Sequence, residues 1–256
     1  MQEVRGGVLI VGSLLWDDHT TRVEWRNEWL MLEQKTRVSA PVRYGRPSAS
    51  RGCTYTMVFS RLCLRPSYGG GTAVVVPLAR PLRDVDFLVE AAQALWGAET
   101  KTRNPNGHIS ASWGAVGILA NPASEPSELL AGWQGAVEQQ PSYCVPTHLN
   151  SEGPILDERT GRLLMPWPRT ITGKSIELDV LLATATDPEL LVPGQRYPSA
   201  VRIAAAWIAD WKRKTRNGKA HEAEVKYFVQ NRKHDICTFQ DDEIRRHLLA
   251  AGVDSV

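Results

Sequence analysis

Cysteine, methionine and phenylalanine are scarce in this sequence, with four of each among 256 residues. The cysteines, Cys53, Cys63, Cys144 and Cys237, form no C-x-x-C pair, so neither zinc-ligand spacing nor a dense disulfide framework is present. Free thiols in a reducing compartment are the expected state. An excess of one charge is also missing: 30 Lys+Arg against 28 Asp+Glu leave a net charge of +2, which excludes a strongly charged partner as the organising theme. Apolar runs such as Val8 to Val11 and Ala73 to Leu78 are far short of the ~18 residues that span a bilayer. No membrane partner is expected. Met1 to Gly12 lacks the basic start and small-residue cleavage site of a secretory signal and runs into strand-like sequence, so a cytoplasmic location is expected.

The common chemical templates are absent as well. There is no G-x-x-x-x-G-K-[ST], no G-x-G-x-x-G and no G-x-S-x-G, which sets aside phosphate cradles and nucleophile elbows. The six histidines, His19, His108, His148, His221, His234 and His247, show neither H-E-x-x-H nor facial-triad spacing, so no metal site is expected.

With 43% hydrophobic and 23% charged residues, 16 Pro and 20 Gly, the composition is that of an ordinary globular protein. The length fits one large domain, or one domain with an appendage. The division expected is a core over 1–140, with 141–256 either extending it or forming a small appended α/β region.

Val8 to Val11 reads as a buried strand stopping at Gly12-Ser13. Trp25, Trp29 and Leu32 are separated by four and three residues, Arg22 to Arg37 reads equally as a short amphipathic helix leading into a strand, and the choice is left open. Arg43 to Gly52 reads as a polar loop feeding a strand, Thr54 to Phe59. Gly69-Gly70-Gly71 would then turn into a second strand, Thr72 to Leu78, the two forming a hairpin. From Asp84, Val85, Leu88, Val89, Ala92, Leu95 and Trp96 predict a helix that Gly97 closes, with Glu99 just beyond. Further on, Ser112 to Ala120 and Ile176 to Ala185 read as strands, Ser127 to Val137 and Ala200 to Trp211 as helices. Pro141 to Pro168 reads as an ordered excursion. No internal repeat is evident.

The most informative segment is Val11-Gly12-Ser13-Leu14-Leu15-Trp16. A strand stopping at Gly-Ser presents consecutive backbone N–H groups that can hold a carboxylate or polarise a carbonyl. Here the sequence resembles the γ-glutamylcyclotransferase superfamily, in particular its ChaC-like branch, in which a YGSL(I/L)W-type loop follows the first strand. Five of the six positions match, and Val11 stands where the family has an aromatic residue. Arg51-Gly52 resembles an RG-containing segment of that branch, and Ala94 to Glu99 its helix-end segment with the catalytic glutamate. The match covers the first half of the chain, to about Ala120.

The resemblance implies an α+β fold, a small mixed-sheet β-barrel with flanking helices and a C-terminal extension, with the cavity above the Gly12-Ser13-Leu14 loop. It implies an enzyme in which the α-amino group of a γ-glutamyl compound attacks its own γ-carbonyl, releasing 5-oxoproline and an amine or peptide without a cofactor. Glu99 would be the base, with Glu90 in reserve, and the backbone of Gly12, Ser13 and Leu14 the carboxylate or oxyanion cradle. Trp96 would wall the site, and Arg43, Arg46 or Arg51 would hold a substrate carboxylate; Arg51 is the residue chosen. The alternative is a non-catalytic protein binding a small carboxylated ligand on the same fold. Nucleic-acid binding, suggested by Lys212, Arg213, Lys214, Arg216 and Lys219 beside Trp207 and Trp211, is the weakest reading.

Overall fold

The computed structural model describes residues 3–48, 51–103, 106–124, 126–140, 143, 153–186, 188 and 197–253. In chain order these carry β1 (Gly6–Ile10), α1 (Thr20–Trp29), β2 (Thr36–Ala40), β3 (Val42–Ser48), β4 (Thr54–Phe59), β5 (Gly71–Pro77) and α2 (Val85–Thr100). There follow β6 (Ser110–Ala111), β7 (Gly114–Ala120), α3 (Ser127–Glu138), β8 (Val180–Thr186), α4 (Ala200–Arg216), α5 (Val225–Lys233) and α6 (Asp241–Ala250). The architecture is α+β, built on a mixed six-stranded sheet in the order β2-β5-β1-β8-β7-β6 with a separate β3-β4 hairpin. Among the described residues no ladder joins the outer strands β2 and β6 into a closed barrel.

Successive strand residues point to opposite faces, and here both faces are covered. Val8, Ile10, Val74, Val76, Val116, Ile118, Val180 and Leu182 pack beneath the helices, alongside Leu95, Trp133, Trp207 and Phe228. Leu9, Ala73, Val75, Leu181 and Ala183 pack on the other side against Val42, Phe59, Ile155, Leu156, Leu163 and Met165. Double burial is why these strands read as continuous apolar runs instead of alternating ones. The second face places the described part of the Pro141 to Pro168 segment on the sheet; Cys144 and His148 lie outside the described residues.

β8 sits at the sheet's centre, parallel to β1 (Val8 opposite Leu182) and antiparallel to β7 (Ile118 opposite Leu182). Residues beyond 140 therefore supply a central strand, and Trp207 and Phe228 join the same core as β1.

Three local readings change. The polar stretch from Arg43 is largely strand: β3 pairs with β4, Val42 opposite Phe59, with a register shift between Tyr44 and Arg46. Its arginines are accommodated by rings, as where the Arg43 guanidinium lies 4.1 Å from the Tyr197 ring centroid. Because β4 pairs with β3, the strand after the glycines, β5, pairs instead with β1 and β2. Finally, α2 passes through Gly97, which is buried within it, and stops where Lys101 turns left-handed (φ 58°, ψ 33°) and returns its N–H to the Gly97 carbonyl. Glu99 is thus inside the last turn. For Arg22 to Arg37 the helical option holds, with α1 leading into β2.

Candidate functional site

The chain leaves β1 through Gly12, whose φ of 80° and ψ of −148° suit glycine alone. A Cβ there would meet no atom within 4 Å, so torsion, not space, selects glycine. Ser13 to Leu15 form one turn of 3₁₀ helix, with Trp16 and Asp17 N–H donating to the Ser13 carbonyl. Among the described residues the N–H groups of Gly12, Ser13 and Leu14 meet no acceptor. They are the donors this loop offers a ligand.

Two arginines of α1 hold the loop. The buried Arg22 donates from Nη1 to Ser13 Oγ at 2.7 Å and to Asp17 Oδ2 at 2.8 Å. Its Nε and Nη2 donate to the Ala98 and Glu99 carbonyls at 3.0 and 3.3 Å, satisfying the end of α2 with a cation. One side chain thereby fixes the cradle against the helix turn carrying Glu99. Arg26 donates to the Leu14 and Asp17 carbonyls at 2.7 and 2.8 Å. Burial pushes the Asp17 carboxyl up, but the His19 N–H, Arg22 and Lys101 together hold it below the usual carboxylate value.

A cavity of ≈ 600 Å³ opens at this loop, and Gly12, Ser13, Leu14, Arg51 and Glu99 all line it. Three separate stretches of sequence thus converge on one space. The Glu99 carboxylate makes no hydrogen bond or ion pair among the described residues. Arg51 donates from Nη2 to Ser13 Oγ at 3.2 Å and lies 4.2 Å from the Tyr227 ring centroid.

Other expectations shift. Arg46 lines the cavity and Arg43 does not, its guanidinium lying between Tyr197 and Phe239. The wall is Trp113, stacked at 4.8 Å on the buried Trp96. Glu90 and the described histidines, His19, His108, His221, His234 and His247, are not part of the lining. In the basic cluster on α4, Arg213 pairs with Asp210, Lys214 donates to the Glu222 carbonyl and Trp207 is buried in the core. Cys53, Cys63 and Cys237 are free thiols. No helix among the described residues is long and apolar enough to cross a membrane.

Sequence reasoning missed one part of the wall. Glu224, Tyr227 and Asn231, at the start of α5 and along it, line the cavity with Tyr44 and Trp207. Their spacing of three and four residues puts them on one helical face, a signal present in the sequence. Trp16 ties them to the loop, its Nε1 donating to Asn231 Oδ1 at 2.8 Å and its ring lying 4.9 Å from that of Tyr227. Glu224 is 9% exposed, and among the described residues its Oε2 has no hydrogen-bond donor. Burial, chiefly, pushes its carboxyl above the ordinary glutamate value.

Comparison with models of known families, with curated proteins and with solved structures gave no match.

Proposed function

We propose that this chain is a γ-glutamylcyclotransferase-like enzyme of the cytoplasm, converting a γ-glutamyl compound to 5-oxoproline and a free amine or peptide. The supporting observation is that the Gly12-Ser13-Leu14 loop, Arg51 and Glu99, singled out by resemblance, line one cavity. On this reading the six-stranded sheet and the β3-β4 hairpin are this chain's version of that family's barrel.

The chemistry follows from the donors and acceptors present. Glu99 takes a proton from the substrate's α-ammonium, and the lone pair of the amine so formed makes a bond to the γ-carbonyl carbon. The N–H groups of Gly12 to Leu14 receive the charge developing on the γ-oxygen. As the γ-amide C–N bond breaks, the attacking nitrogen's second proton passes to the leaving nitrogen and the proton held by Glu99 follows it, so the amine or peptide departs as an ammonium. The cavity's remaining task is to hold the glutamyl chain bent, which makes the attack intramolecular. The reaction so written uses no cofactor.

A second reading keeps the pocket and drops the turnover: a protein binding a small carboxylated ligand. Val11 favours it, because this cavity residue replaces an aromatic one and removes a ring from the wall. The two readings part on 5-oxoproline release from glutathione, γ-glutamyl dipeptides and γ-glutamylamines, with wild type beside Glu99→Gln. The enzyme reading expects release by wild type and a loss of about 10²-fold or more in the variant, which keeps size but cannot take the proton. Undiminished release by Glu99→Gln would remove Glu99 from the mechanism.

A further inference from the structure

Besides Glu99, two opposite charges on the cavity wall stand unpaired among the described residues. Of its arginines, Arg22 is fully engaged by Asp17, Ser13 and two carbonyls. Arg51 has one contact to Ser13 Oγ and a flat contact with Tyr227, and among the described residues no carboxylate lies within ion-pair distance of it. Facing the same space, Glu224 is held by its backbone, its N–H donating to Asp210 Oδ2 at 2.9 Å. Asp210 is itself buried and paired with Arg213. Among the described residues Glu224 Oε2 has no donor, although the carboxyl feels the Arg51 charge. The two groups are near enough to interact through space and too far apart to pair.

A buried carboxylate without a donor is costly, and the cost is recovered by a ligand that brings a cation. A guanidinium whose fork is only partly used is suited to a carboxylate. One small group carries both charges a few bonds apart: the zwitterionic head of an α-amino acid.

We propose that this head lies between Arg51 and Glu224, its carboxylate on the guanidinium and its ammonium on the Glu224 carboxylate. The assignment rests on the γ-glutamyl reading, whose substrates have this head. It also settles the role of the loop: with the α-carboxylate on Arg51, the N–H groups of Gly12 to Leu14 are left for the γ-carbonyl oxygen. Glu224 is then a binding residue and Glu99 the proton acceptor.

The test compares L-glutamate with glutarate, which differ only by the amino group, in calorimetric titrations of the full chain at neutral pH. Wild type should prefer glutamate by about tenfold or more, the range of a charge-assisted contact. Glu224→Gln should bring the two ligands within about twofold of each other and leave glutarate binding unchanged, a retention that also reports an intact pocket. Arg51→Ala, an independent variant, should weaken both ligands by about tenfold. Wild type binding glutarate as well as glutamate, or binding neither, overturns the assignment, as does a preference that survives Glu224→Gln. The outcomes separate from those of the cyclotransferase reading. Release of 5-oxoproline without the preference would leave the enzyme and remove the head-group site; the preference, lost in Glu224→Gln, without release would do the reverse.

Discussion

Gly12 concentrates the dependence of the site on backbone conformation. Its torsions lie in a region that costs an L-residue about 1–3 kcal/mol, and no neighbouring atom would obstruct a Cβ. Gly12→Ala should therefore lower stability by about that amount and disable ligand binding through the loop alone. Denaturant unfolding with glutamate titration checks this, and unchanged values for both would show that the torsion does not matter. Asp241 makes the opposite kind of demand. It is 2% exposed, and burial pushes its carboxyl from 3.8 to about 6, against the opposing effect of Thr238, which donates N–H and Oγ–H to Oδ1 at 2.9 and 2.6 Å. Because the folded value lies above the unfolded one, the contribution is favourable below about pH 4 and is lost as pH rises through about 6. Asp241→Asn keeps the acceptor for Thr238 and removes the charge. It should flatten stability across that window and raise it at pH 7 by on the order of 1–3 kcal/mol; a variant that retains the wild-type slope would assign the slope elsewhere.

Individual elements were legible where one period dominated. The apolar face of α2 was visible in Leu88, Ala92 and Leu95, but its end was not, because Gly97 looked like a terminator and is a buried packing position. The stop depends on Lys101, a residue that carries no stop signal, held by its contact with Asp17 at 3.1 Å. β3 was hidden because Arg43 and Arg46 read as solvated, whereas rings from Tyr197 and Trp113 accommodate them. The start of α2 is conventional: Asp84 accepts from the Phe87 N–H at 2.8 Å. Asp84→Ala should cost about 1 kcal/mol, a fall in Tm of about 2–4 °C for a chain of this length. On the proposed function turnover should persist, since Glu99 lies at the helix's other end. A calorimetric scan beside an activity assay tests both, and loss of activity at unchanged Tm would mean that the cap acts on the site.

The whole molecule is organised around β1, flanked by β5 and β8, so the cradle leaves from the middle of the sheet. Gly12 to Leu14, Arg51 and Glu99 were singled out together because each lies in a short segment that resembles one family, and they line one cavity. Glu224 and Tyr227 were not, because they reach the cavity only through the packing of α5 against the loop, which Trp16 and Asn231 make. The same non-local pairing predicts that a fragment of residues 1–140 will not fold: without β8, β1 and β7 lose their shared partner. Circular dichroism and amide NMR dispersion of that fragment test this, and a cooperative unfolding transition would refute it.

The proposed function turns on which nitrogen or oxygen attacks the γ-carbonyl. Incubating the wild-type protein with γ-L-glutamyl-L-alanine and identifying the products answers this. Intramolecular attack predicts equal amounts of 5-oxoproline and alanine. Free glutamate in place of 5-oxoproline would mean attack by water, and an intact dipeptide would mean a pocket that binds without reacting; either result would contradict the proposed cyclotransferase.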